Sequence, residues 1–163
     1  MRALIVIFIV MSLSAFSQTQ DSQIGKDSIC TKLLNQLIID QINYERSRVG
    51  KPALKISKVL MSESKLHNDW MIKSNKYEHS HYSRGENIEV ISSNSEVTYL
   101  KLAKDIVQVW MNSKGHRENI LNSEYSHIGA AANFYSKEQS KFISPTIVYY
   151  LIKSTTSFYY SEK

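Results

Sequence analysis

Trp110-Met111-Asn112-Ser113-Lys114-Gly115-His116-Arg117-Glu118-Asn119-Ile120-Leu121 closes a helical part of the chain, and Ile128-Gly129-Ala130-Ala131-Ala132-Asn133-Phe134-Tyr135 opens a strand-forming one. Upstream of the junction, apolar residues recur at intervals of three and four, as on a helix with one buried face. Leu100, Ala103, Ile106, Val107 and Trp110 form such a face, so a helix should end near Met111. Residues 114–121 read as one or two further helical turns. Downstream, residues 128–135 are small and apolar, while residues 142–152 are rich in β-branched and aromatic side chains, as strands require. Pro145 lacks an amide proton for a ladder, which puts the start of the second run at an edge or a bulge.

Further upstream the helical signal repeats twice. Cys30, Leu33, Leu34, Leu37, Ile38 and Ile42 predict a helix over 29–48, capped by Asp27 or Ser28 and stopped by Gly50 and Pro52. Val59, Leu60, Leu66, His67, Trp70 and Met71 predict a second helix over 57–75, with Ser57 as N-cap. Ser93-x-x-Glu96 has the form of a capping box and marks the expected start of the third. Residues 85–91 supply one more short strand. Helices followed by strands, without regular alternation, predict an α+β sandwich and argue against a doubly wound parallel sheet.

The N-terminus reads differently. Met1 and Arg2 precede nine apolar residues, Ala3 to Met11, then small and polar residues up to Ser17. A basic start, a short apolar run and small residues at Ala15 and Ser17 predict a signal peptide over 1–17. The run is too short for a membrane span, which needs about 20 apolar residues. Residues 18–28 read as a flexible leader, 29–156 as the domain and 157–163 as a C-terminal tail. The expected location is therefore extracellular or periplasmic. A total of 163 residues suits one domain, and a single cysteine excludes a disulfide framework or a cysteine-cluster metal site. Cys30, on the first helical stripe, is expected to be a small buried hydrophobe. The formal charge of +5 is spread along the chain without a basic run, which argues against a nucleic-acid partner.

Chemistry-bearing residues collect in three turn-prone stretches: Glu78-His79-Ser80-His81 leading to Gly85-Glu86-Asn87-Ile88, residues 110–121, and Tyr125-Ser126-His127. No His-Glu-x-x-His, Gly-x-Ser-x-Gly or phosphate-binding glycine loop is present. The stretches fall in a recognisable order. Asn43 and Arg46 precede Gly50-x-Pro52-x-Leu54, and Leu66-His67-x-x-Trp70-Met71 follows. Then come His79-Ser80 and Gly85-Glu86-Asn87-Ile88, and last Trp110-x-x-Ser113-x-x-His116-Arg117-x-Asn119-Ile120-Leu121 with Gly129. This series resembles the CAP superfamily, the SCP-like domain of cysteine-rich secretory proteins, antigen 5 and pathogenesis-related 1 proteins, in its bacterial cysteine-poor form.

The resemblance implies an α-β-α sandwich with a small antiparallel sheet between helical layers. It also implies a central cleft with two histidines and two acids, in which His79, Glu86 and His116 take three places. Ser113 stands where the second acid is expected, as in many bacterial members. His79 and His116 are then candidate ligands for a weakly bound divalent metal such as zinc, with Glu86 fixing a tautomer. Asn87, Trp110, Arg117 and Asn119 are expected to hold the structure around the site, and His81 and His127 are candidates for its rim. The implied function is an extracellular binding module for a peptide, a lipid or a cell-surface component. The alternative is a metal-assisted hydrolase with Glu86 as general base.

Overall fold

The structure, a computed structural model, describes residues 30–81, 85–94, 97–135 and 149–160. The expected signal peptide and leader, residues 142–148 with Pro145, and residues 161–163 lie outside the described residues. Among these described residues eight elements follow in order: α1 (Thr31–Arg48), β1 (Lys55–Ile56), α2 (Lys58–Ser74), β2 (Gly85–Asn94), α3 (Tyr99–Asn112), α4 (Lys114–Leu121), β3 (Tyr125–Tyr135) and β4 (Tyr149–Tyr160). The strands make one sheet in the order β1-β3-β4-β2. The long strands are antiparallel, but β1 pairs parallel to β3, so the sheet is mixed rather than wholly antiparallel.

Strand alternation distributes the helices between two faces. On β3, Gly129 packs against the α2 backbone at Leu60 and Met61, whereas Ala130 and Ala132 join the core shared with α1 and α3. That core contains Leu34, Leu37, Ile38 and Ile42 of α1, Leu102, Ile106 and Trp110 of α3, Ile120 of α4, and Ile128 and Phe158 of the sheet. On the α2 face the packing is more polar. Ser64 donates to the Gly129 carbonyl and shares a hydrogen bond with Ser157, and Thr155 donates to Asn68. Beyond the two-residue β1, β3 would be an open edge. Met61 Sδ accepts from the Ala130 amide at 3.2 Å and Asn35 Oδ1 from the Ala132 amide at 2.7 Å, so helices of both layers close it.

Helix ends follow local chemistry. At the end of α1, Gly50 has φ 69°, and the Gly50 and Lys51 amides bond back to Ser47 and Arg46, a Schellman motif that needs the left-handed conformation. Ser57 caps α2 as expected, accepting from the Leu60 amide. Helix α3 departs from expectation: Ser93 lies in β2, and Thr98 is the cap, accepting from the Lys101 amide at 3.2 Å. Pairing with β4 extends β2 to Asn94 and overrides the capping-box pattern. Strand β4 is described from Tyr149 to Tyr160, so residues 157–160 belong to the sheet and not to a tail. Cys30 is exposed rather than buried, because it precedes the first turn and the stripe begins at Leu34.

Arg46 is fully buried and organises the chain after α1. Its guanidinium donates to the carbonyls of Pro52, Ile120, Asn122 and Tyr125, at 2.8–3.4 Å. Asn43 completes this corner, bonding both the amide and the carbonyl of Leu54. These bonds fasten α1 to the α4–β3 junction, and so help to set where α4 meets the sheet.

Candidate functional site

Strand β2 is the outer strand on one side of the sheet, and its first residues build the site. Glu86 and Asn87 are consecutive, so their side chains leave opposite faces. Glu86 pairs with Ser157 and shares its α2-facing side; Asn87 turns to the other layer and meets α4. Both are buried.

On the α2 side the chain leaves the helix through Asn75, which takes the left-handed conformation at φ 54°. It then folds back towards β2. Tyr77 donates to the Ile88 carbonyl at 2.9 Å, and the phenol pKa is pushed up to about 12 by burial and by Glu89. The next residues converge on one carboxylate oxygen: His79 Nδ1 lies 2.8 Å and the Ser80 amide 2.9 Å from Glu86 Oε1. An ionised carboxylate only accepts, so the proton of a neutral His79 sits on Nδ1 and Nε2 keeps its lone pair. The His79 side chain is 58% exposed while that of Glu86 is 7% exposed, so a buried acid orients an accessible ring.

On the other side, α4 carries His116. Asn87 Nδ2 donates to the His116 carbonyl at 3.1 Å, and Asn119 Nδ2 donates to Asn87 Oδ1 at 2.9 Å and the Glu86 carbonyl at 3.2 Å. Arg117 donates to the Met111 carbonyl at 2.8 Å, closing the α3–α4 corner. The Trp110 ring is fully buried, with Nε1 3.2 Å from the Ile88 carbonyl. Helix α4 thereby brings the His116 ring to 6.5 Å from that of His79, centroid to centroid, at an interplanar angle of 62°. His116 Nδ1 is buried without a hydrogen-bond partner among the described residues. Its pKa is lowered by burial and then by His79, against an opposing pull from Glu89.

His79 thus bonds Glu86 and faces the ring of His116, although the two histidines lie far apart in sequence. Ser113 occupies the corner between α3 and α4, caps α4 without a side-chain hydrogen bond, and precedes His116 by three residues. His127 does not reach the site. It pairs with Lys55 and Tyr159 on β3, which β4 separates from β2, and its ring bonds Ser126. His81 is exposed. A groove of about 530 Å³ between α1 and α3, lined by Leu37, Tyr44, Leu100 and Lys104 among others, includes none of the site residues.

The order and spacing of these residues now have a match. The sequence profile of the cysteine-rich secretory protein family, CAP, matches residues 39–152. The chain belongs to this family. Among curated proteins, the uncharacterized protein YkwD of Bacillus subtilis (strain 168) is 28% identical over an alignment 102 residues long that covers 56% of this chain and 39% of that relative; the CAP chain spans well under half its length. Among solved structures, an outer surface protein of Borrelia burgdorferi is 16% identical at a TM-score of 0.52, covering 82% of this chain and 97% of that one. Na-ASP-1 is 13% identical at a TM-score of 0.53, covering 76% and 38%. At these identities the likeness concerns the fold, and it agrees with the α+β layering. No helix among the described residues of this CAP protein is long and apolar enough to cross a membrane.

Proposed function

We propose that this protein is an exported binding module whose His79–Glu86–His116 site takes up a divalent transition metal of the zinc class. The observation that supports it best is the pairing of an Nδ1-protonated His79, held 2.8 Å from Glu86, with a second imidazole 6.5 Å away. Two rings on one tetrahedral ion, with zinc–nitrogen bonds of about 2.0–2.1 Å, would have centroids roughly 5 Å apart, so the exposed His79 ring would close in by about 1 Å on binding. The lowered pKa of His116 favours the neutral ring that ligation needs. Among the described residues no three His, Cys, Asp or Glu side chains group to hold an ion, so the protein contributes two imidazoles and the affinity is modest. A bound ion would supply a Lewis-acidic point to which a ligand's carbonyl, carboxylate or phosphate oxygen attaches. Export is supported by the basic and apolar N-terminus, and by the description of the Borrelia neighbour as an outer surface protein.

Glu86 commits Oε1 to His79 and Ser80 and is 9% exposed, which suits an orienting carboxylate better than the general base of a hydrolase. The partner is an extracellular peptide, lipid or cell-surface component. Zinc titration by calorimetry, on the native protein and on a His79→Ala/His116→Ala variant, tests the metal. Heat should be released by the native protein and lost in the double variant; equal heats would remove the metal from the reading.

A further inference from the structure

His67 lies outside the His79–Glu86–His116 group and stands on α2, yet its ring comes close to the same carboxylate. Its residue exposure is 8%, its Nε2 is 3.0 Å from the Glu78 carbonyl, and the same nitrogen is 3.8 Å from Glu86 Oε1. The second distance is too long for a hydrogen bond and the first is normal. A carbonyl only accepts, so Nε2 carries the proton and donates it to Glu78. The other face of the interaction is a stack: the His67 and Trp70 rings are 5.6 Å apart at 17°.

We infer that His67 is a positioning residue for His79, acting through the backbone of Glu78. Ahead of His79, two side-chain hydrogen bonds among the described residues attach the segment between α2 and β2: Tyr77 Oη to the Ile88 carbonyl and His67 Nε2 to the Glu78 carbonyl. They fall on consecutive residues immediately before His79. The lysine–carboxylate pair between Lys76 and Glu78 is exposed on both sides and adds little. With Glu78 held against α2, the His79 ring and the Ser80 amide arrive together at Glu86 Oε1. Without that bond, the nearest remaining anchor of the segment is Tyr77, two residues back, and the exposed His79 ring turns more freely at Glu86. The inference concerns the geometry of the metal-free protein and stands whether or not zinc binds.

The donor role and the packing role of His67 make opposite demands. His67→Gln keeps an N–H for Glu78 and removes the ring from Trp70; His67→Phe keeps the ring and removes the donor. The readout is the ¹⁵N signature of the His79 side chain in chelator-treated protein near pH 7.5, with backbone amide spectra reporting the fold. The native protein and His67→Gln should both show protonated Nδ1 and bare Nε2. Folded His67→Phe should lose that signature and move to the solvent-averaged tautomer mixture. If Phe keeps the signature, or if folded Gln loses it, His67 does not position His79 through Glu78. If the Phe variant does not fold, His67→Leu, which also lacks the donor, takes its place beside His67→Gln. Zinc titration of the same variants separates this inference from the metal reading, because the tautomer is measured without metal.

Discussion

The indole nitrogen of Trp110 reaches the backbone carbonyl of Ile88 across 3.2 Å, joining α3 to the strand that carries Glu86 and Asn87. The ring is fully buried in the core between α1, α3 and the sheet. Trp110→Ala should destabilise by roughly 3–5 kcal/mol, from lost burial plus a residual cavity. Urea denaturation measures it, and a loss under about 1 kcal/mol would contradict this packing.

Arg46 gives a sharper test of polar burial. Its guanidinium serves four carbonyls from the turn after α1 and from the α4–β3 junction, and burial lowers its pKa. Lysine keeps the charge but cannot fork, so Arg46→Lys leaves several of these carbonyls unserved. With hydrogen bonds to a charged group contributing about 1.5–3 kcal/mol each, a loss of at least roughly 3 kcal/mol is expected. A midpoint in urea close to that of the native protein would show that the carbonyls find other donors.

Gly129 is required for a reason unrelated to turns. A Cβ there would fall on the Leu60–Met61 backbone of α2. Backbone cannot rotate away as a side chain can, so Gly129→Ala should force α2 from the sheet and cost about 1–3 kcal/mol or more. Thermal unfolding monitored by circular dichroism would register the change; an unaltered midpoint would mean that α2 stands further off.

The imidazole of His116 makes stability depend on pH. Burial and His79 lower its pKa below the ordinary 6.5, while Glu89 pulls the other way. As pH falls through 6.5 the unfolded chain takes up a proton before the native one does, so stability declines with pH until the native ring also protonates. Denaturant titrations between about pH 7.5 and 5 in the presence of chelator should show this decline. Replacement of His116 by Asn should flatten it; an identical slope in the variant would assign the effect elsewhere.

Much of this architecture was legible in the chain. The α1 stripe from Leu34 to Ile42 and the α3 stripe from Leu102 to Trp110 face a shared core and repeat at helical spacing, because burial on one side imposes that period. Helix α2 was harder. Val59, Leu66 and Trp70 looked like core but are exposed at 63%, 61% and 39%, while Ser64 and Asn68 are buried. The sheet face beneath them carries Ser157 and Thr155, so hydroxyls and amides fill places that periodicity assigns to apolar side chains. Ser93 misled for a related reason, since pairing along β4 outweighs a local cap. The meeting of His79 with His116 rested on family resemblance, because spacing along a chain does not say which loops a fold returns to one strand. The contact of His67 with Glu78 had no sequence signal beyond a histidine on an apolar helix face.

Glu86 and Asn87, though neighbours, answer to different layers: the carboxylate to the loop that brings His79, the amide to the helix that brings His116. Deleting a single amino acid from β2 beyond Asn87, while the rest of the strand keeps its pairing with β4, would exchange the two addresses, because a slip of one residue turns the shifted side chains to the opposite face. Length changes are therefore forbidden to this strand in a way that point substitutions are not, and the two imidazoles depend on the count of residues in β2 as much as on their chemistry.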